Sequence, residues 1–270
     1  MTLGTYHCHT EFCDGKSTAE EMILAAIEQG AKEIGLTPHS FVEGEEWCMS
    51  LEGTEEYLLK TSELKKKYSD RIKVFCGIEQ DVISKIDREK YDYVIGSVHS
   101  VSPDGNLFWV DLSMADVREN VNKYFHSDPY AYVEAYFEEV GSIYEKTKCD
   151  IIGHFDLVTK FIERDRLFDV RNERYIRARD LALDKLLSTP ALFEVNTGAI
   201  SRGYRTTPYP EDEVLFRIAE SGKPLVINSD SHSASTVLFG IEEQMRRLDS
   251  LGIKYVTSLE EVLSITRGEY

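Results

Sequence analysis

The chain has 270 residues, 42% hydrophobic and 29% charged, which is ordinary for a folded protein and leaves room for one large domain or two small ones. The formal net charge of −17 argues against a long polyanionic partner such as nucleic acid, so a phosphate site here must carry its own concentrated positive charge. No apolar run approaches the roughly 20 residues that span a bilayer, no signal peptide opens the chain, and Cys8, Cys13, Cys48, Cys76 and Cys149 form neither a disulfide framework nor a paired zinc spacing, so a reducing cytoplasmic setting is expected.

Met1 to Thr5 reads as a short strand running into Tyr6-His7-Cys8-His9. Strand alternation turns His7 and His9 to one face and Cys8 to the other, which makes a chelating pair and argues against a Cys8 nucleophile. Two histidines can also merely cap a strand. Asp14-Gly15 follows, offering a hard oxygen ligand. Ser17 with Glu20 predicts a capping box for a helix through Met22, Ile23, Ala26 and Ile27, ending at Gly30. Glu33 to Thr37 is a strand ending at Pro38-His39.

Residues 41–53 read as a long acidic loop, and residues 54–68 as a helix. Lys73 to Ile78 is a third strand ending at Glu79 and Asp81, and Tyr91 to Val98 a fourth ending at His99. A long excursion over residues 100–127 contains the turn Pro103-Asp104-Gly105, and residues 128–146 are helical. Asp150 to Gly153 is a fifth strand ending at His154. A helix over 171–187 leads to a sixth, Leu192 to Asn196, and a helix over 211–221 to a seventh, Pro224 to Asn228, ending at Asp230 and His232. A helix over 241–251, a strand-like 254–256 and a final helix complete the chain. Without repeats or linkers, one domain over residues 1–270 is the economical division.

Strands alternating with helices predict a closed or nearly closed α/β barrel, whose site lies at the carboxyl ends of the strands. His7, His9, His39, Glu79, His99, His154, Asp230 and His232 all fall at such ends, and Asp14 follows the first. Histidines scattered at random would not. His126 is the one histidine outside the pattern and reads as a surface or loop residue. The set exceeds the three or four ligands of one zinc ion and suits two or three divalent transition ions, Zn, Mn or Fe. Clustered ions acidify a water and clamp phosphoryl oxygens, so hydrolysis of a phosphate ester is the natural chemistry. Arg202, Arg205 and Lys160 are basic residues placed after strand ends to hold phosphate, although a plain surface role is open for each. Glu194 and Asn196 share a strand face and either meet the substrate or fill a polar interior. Trp47, Phe108 and Trp109 read as loop anchors.

His7-x-His9 with Asp14-Gly15, Thr37-Pro38-His39, Gly77-x-Glu79, Gly96-Ser97-Val98-His99, Gly153-His154 and Asp230-x-His232 together resemble the polymerase-and-histidinol-phosphatase superfamily, PHP, in order over roughly residues 3–235. Tyr93 to His99 followed by Phe108 to Asp111, and Glu194 to Thr197 leading to Arg202 and Pro208-Tyr209-Pro210, look most like its stand-alone histidinol-phosphatase branch. The resemblance implies a distorted (β/α)7 barrel with a trinuclear centre. One ion would take His7, His9, Glu79 and Asp230; a second Glu79, His99 and His154; a third Asp14, His39 and His232. It also implies hydroxide attack on phosphorus between the first two ions, with Asp230 or His232 as proton carrier. The implied activity is hydrolysis of the small phosphate ester L-histidinol phosphate in histidine biosynthesis. A PHP phosphoesterase acting on nucleotides or DNA ends, and a metal-binding regulatory protein, are the rival readings; the acidic charge weighs against the first and the complete ligand set against the second.

Overall fold

Residues 3–268 are described in the structure, a computed structural model. Strands β1 (Gly4–Thr5), β2 (Glu33–Leu36), β3 (Lys73–Asp81) and β4 (Tyr93–Ser97) pair in parallel in that order. β5 (Ser100–Val101) and β6 (Phe108–Trp109) form a separate antiparallel pair. β7 (Ile151–Ile152), β8 (Leu192–Asn196), β9 (Leu225–Asn228) and β10 (Tyr255–Val256) continue the main sheet beyond β4, giving eight strands. The helices are α1 (Ala19–Glu28), α2 (Leu51–Lys67), α3 (Met114–Tyr124), α4 (Pro129–Thr147), α5 (Glu173–Leu187), the short α6 (Gly198–Ser201), α7 (Asp212–Glu220), α8 (Ile241–Leu251) and α9 (Leu259–Arg267).

The two flanks of the sheet meet just past the strand ends. Cys8 bridges Ser231 in parallel; the His9 N–H donates to the Ser231 carbonyl at 2.8 Å and the Ser231 N–H to the His7 carbonyl at 3.3 Å. The expected seven strands therefore close at the top. At the bottom β10 pairs with β9 through Tyr255 and Val256, adding an eighth strand where the barrel is splayed. This is the α/β barrel that the alternation of elements predicts, in the distorted form that the family resemblance implies.

Alternation within the strands grades the interior from apolar to polar. Leu192, Glu194 and Asn196 lie two apart on β8, and Val226 and Asn228 on β9, so each pair of steps climbs one face. The lower layer is an apolar plug of Tyr6, Tyr93, Ile95, Ile151, Leu192 and Val226, stoppered from below by Leu259 and Val262 of α9. A carboxylate seen against this plug, Glu33, is buried and accepts from the Tyr6 hydroxyl at 2.8 Å and the Leu259 N–H at 3.0 Å, while the imidazoles gather in the upper layer. A larger apolar cluster, including Cys8, Met22, Ile34, Val94, Phe137 and Leu183, fills the space between sheet and helices.

Several local expectations shift. The capping box of α1 is Thr18 with Glu21, not Ser17 with Glu20. Ser17 is taken by the Ala234 N–H at 3.0 Å, and Glu20 by Tyr68 and Lys67. α2 starts earlier than expected, at Leu51, because the Ser50 hydroxyl caps it by accepting from the Gly53 N–H at 2.9 Å. The 100–127 excursion carries β5, β6 and all of α3 rather than an open loop. Among the described residues no helix is long and apolar enough to cross a membrane.

Candidate metal centre

The segment after β1 puts the His7 and His9 rings 5.2 Å apart, while Cys8 between them is buried in the sheet–helix core. Gly15 folds the next loop back onto them: a Cβ there would lie 2.4 Å from the Thr10 nitrogen and 2.6 Å from the His9 carbonyl carbon, so only glycine fits. That loop delivers Asp14. His39, after β2, bridges to Glu79 on β3; His99 and His154 follow β4 and β7. Asp230 and His232 follow β9, with Asp230 in the left-handed region at φ 47°. All nine ligand candidates converge, and His126 is exposed away from them at the end of α3.

Glu79 lies at the centre. Its Oε2 is 2.8 Å from His39 Nδ1, 3.3 Å from His7 Nε2 and 3.4 Å from His9 Nε2. Its Oε1 is 3.0 Å from His154 Nε2 and 3.4 Å from His99 Nε2. Asp230 Oδ1 is 3.3 Å from His9 Nε2 and 3.9 Å from His7 Nε2. Asp14 faces His232 Nε2 at 3.3 Å and His39 Nε2 at 3.7 Å. Three overlapping groups have ligand atoms close enough to hold an ion: His7, His9 and Asp230; His39, Glu79 and His99; and His9, Asp14, His39 and His232.

The donor set fits divalent cations. His7 Nε2, His9 Nε2 and Glu79 Oε2 are buried and face one another without a hydrogen-bond partner among the described residues. Such orphaned polar atoms are costly, at about 1–3 kcal/mol each, and a cation satisfies all of them together. Charge points the same way. Burial opposes ionisation of Glu79, but His7, His39 and His99 hold its carboxyl well below the usual range. Burial likewise opposes the charge on His7, which Glu194, Glu79 and Asp230 nonetheless raise well above the imidazole range. His9 is pulled down to about 3 by burial and by His232 and His39 beside it. Without ions, protons on some imidazoles neutralise the carboxylates; with ions, the metal takes that part.

A cavity of about 530 Å³ opens above the cluster, lined on its walls by Lys16, Asp111, Leu157, Lys160, Ser201, Arg202, Tyr204, Ser233 and Thr236. Of the residues expected to bind substrate, Lys160 and Arg202 line it. Lys160 donates to the Asp111 carbonyl at 2.8 Å and its carboxylate at 3.1 Å; Arg202 donates to Asp230 Oδ2 at 3.0 Å. Arg205, Glu194 and Asn196 do not reach the cavity. Arg205 is buried against the Tyr209 ring, 4.6 Å away, and donates to Thr159. Glu194 lies behind His7 at 3.0 Å, and Asn196 donates to Glu194 at 2.7 Å and to Asp230 at 3.3 Å. Both sit a layer too deep, a depth that face alternation does not encode. Asp81, which accepts from His99 Nδ1 at 3.0 Å, was readable only as a strand-end carboxylate.

The two long loops do meet at the mouth. Glu45 accepts from Trp47 Nε1 at 2.8 Å and Trp109 Nε1 at 3.0 Å, and Trp47 stands edge-on to His39 with centroids 4.8 Å apart. Phe108 instead packs inward against Tyr124, Phe125 and Tyr132.

A parallel α/β barrel with imidazole and carboxylate ligands gathered at the carboxyl ends of its strands is the arrangement of a metal-dependent barrel phosphoesterase. Residues 5–198 match the PHP domain, and the chain belongs to that family. A Schizosaccharomyces pombe protein named a probable histidinol-phosphatase is 27% identical over 277 residues, covering 94% of this chain and 89% of its own. A structure from Listeria monocytogenes, provisionally described as a histidinol phosphatase, superposes with a TM-score of 0.78 at 23% identity over 89% of this chain and 99% of its own. The Lactococcus lactis histidinol phosphate phosphatase, solved with zinc, L-histidinol and phosphate, gives a TM-score of 0.70 at 20% identity over 94% of this chain and 95% of its own. At these identities the two structures establish the shared fold.

Proposed function

We propose that this chain is a metal-dependent phosphomonoesterase that hydrolyses L-histidinol phosphate to L-histidinol and phosphate. The observation that supports the proposal is the cavity: its floor is a cluster of candidate metal ligands, and its wall carries, outside that cluster, Asp111 and the Lys160 ammonium paired with it at 3.1 Å, so that a phosphate drawing on Lys160 frees the carboxylate for a substrate cation. A phosphate at the floor and a cationic group at the wall describe histidinol phosphate. The curated relatives, named for this activity, support the same reading.

We assign His7, His9, Glu79 and Asp230 to one ion, Glu79, His99 and His154 to a second, and Asp14, His39 and His232 to a third, the ions being Zn, Mn or Fe. When bound, they supply Lewis acidity that acidifies a water and offsets phosphoryl charge. The protein's own groups do the rest. Lys160 and Arg202 hold phosphate oxygens from the wall. Trp47, joined to Trp109 through Glu45, stands edge-on to His39 and shields that side of the cluster from bulk water. Asp230 stays ionised, because Arg202 and His7 overcome its burial and keep its carboxyl well below the usual range. It is thus a ligand rather than the acid, and on this assignment the same holds for His232, whose Nε2 faces Asp14 at 3.3 Å and whose Nδ1 lies 2.9 Å from the Arg202 guanidinium.

The test compares kcat/KM for histidinol phosphate, a nucleoside monophosphate and simple phosphomonoesters, with nuclease activity on single-stranded DNA alongside. A preference of about a hundredfold for histidinol phosphate, roughly 2.7 kcal/mol, is expected. Equal efficiency on all esters, or faster cleavage of DNA, overturns the substrate assignment.

A further inference from the structure

We infer that Glu194 is a positioning carboxylate that sets ligands of two different ions at once, and that Asp81 does the same for one ligand of one ion. The inference rests on the metal-centre reading above. Glu194 is buried on β8 and receives donors from four directions. Its Oε2 accepts from His7 Nδ1 at 3.0 Å and Asn228 Nδ2 at 2.8 Å. Its Oε1 accepts from the His154 backbone N–H and Asn196 Nδ2, each at 2.7 Å. Both oxygens face donors only, so the position calls for a group with no hydrogen to give. A glutamine there would turn its NH2 against two of these donors.

The consequence reaches the metal ligands. With the proton of His7 held on Nδ1, its Nε2 lone pair points to the cluster, 3.3 Å from Glu79 Oε2. Through the His154 N–H, the same carboxylate fixes where that residue enters the site, with its Nε2 3.0 Å from Glu79 Oε1. No hydrogen bond among the described residues holds the His154 ring from behind: its Nδ1 has no partner, and Tyr209 only packs edge-on to it with centroids 6.3 Å apart. His7 serves the first ion and His154 the second. Asp81 has a narrower reach: its Oδ2 accepts from both Nδ1 and the N–H of His99, at 3.0 and 3.1 Å, and its Oδ1 from the Ile83 N–H at 3.0 Å. The Asp14–His39–His232 group touches neither carboxylate.

The experiment strips the protein with chelator, titrates it with Zn²⁺ and separately Mn²⁺ against a competing chelator, and counts ions per chain after desalting. Circular dichroism of the stripped protein checks the fold. Wild type should hold three ions, the number the assignment requires. Glu194→Gln should weaken two of them about 10–100-fold each, the usual effect of losing a carboxylate behind a ligand, and leave one at wild-type affinity. Asp81→Asn should weaken one only. Retention of every ion at wild-type affinity, or uniform weakening of all of them, overturns the inference. If Glu194→Gln does not fold, Glu194→Asp, which keeps the charge but draws it back from the same donors, is read by the same criterion. Fewer than three ions on the wild type overturns the metal-centre reading instead.

Discussion

Replacing Glu79 by glutamine keeps the shape and removes the charge at the point where the site is most heavily shared. One carboxylate oxygen faces His7, His9 and His39, and the other His99 and His154, at 2.8 to 3.4 Å. On the proposed assignment two ions share this carboxylate, and the amide gives one of them a neutral oxygen and turns an NH2 toward the other. Loss of an indirect partner of a ligand costs about 10–100-fold in metal affinity, which is a floor for a direct ligand. Over two ions the fully loaded population falls by about 10²–10⁴ at limiting metal, equivalent to roughly 2.7–5.5 kcal/mol. The assay is phosphate release by Glu79→Gln and wild type across a metal titration, with thermal melting of the stripped proteins to check folding. A folded variant with near-normal turnover at limiting metal would refute the bridging role.

At Gly198 a Cβ would lie 2.6 Å from Asp230 Oδ2, so Gly198→Ala should destabilise the protein by about 1–3 kcal/mol in denaturant titrations and lower its metal content; an unchanged midpoint and metal count contradict this. His7 and His99 are held well above the imidazole range by neighbouring carboxylates that outweigh burial, so loading the stripped protein at pH 7 should expel protons, and metal affinity should fall as pH drops. Calorimetry in buffers of different ionisation enthalpy measures this, and heats that do not depend on the buffer contradict it. Lys160→Ala should lower kcat/KM by about 10–100-fold through loss of a charged hydrogen bond to phosphate, whereas Arg205→Ala, on a residue buried against Tyr209, should act on stability first. Opposite phenotypes for the two would reverse the assignment made from the cavity lining.

The convergence of the candidate ligands was legible because a parallel barrel sends each strand's carboxyl end to one mouth, and a histidine just past an apolar run needs no further information to be placed there. Glu79 was legible for the same reason, although β3 runs through it to Asp81. Depth was not legible. Alternation puts Glu194 and Asn196 inside the barrel, but only the packing around His7 and Asp230 shows that they stand behind these candidate ligands and off the cavity. Arg205 follows the same strand end as Arg202, yet the Tyr209 ring and Thr159 draw it inward. α3 escaped because Val117 and Val121 are its only buried residues, too thin an apolar stripe to mark a helix. The capping box slipped by one residue because Ser17 and Thr18 both satisfy the local pattern, and a distant N–H from Ala234 claims Ser17.

Metal-dependent hydrolysis is measured most directly as the initial rate of phosphate release from L-histidinol phosphate by one preparation in two states, stripped by chelator and then reloaded with zinc or manganese. No release above background is expected from the stripped protein, and full recovery on reloading, with the rate rising as the second ion binds. Hydrolysis that survives complete removal of metal, or a fully loaded protein that leaves histidinol phosphate intact, would contradict it.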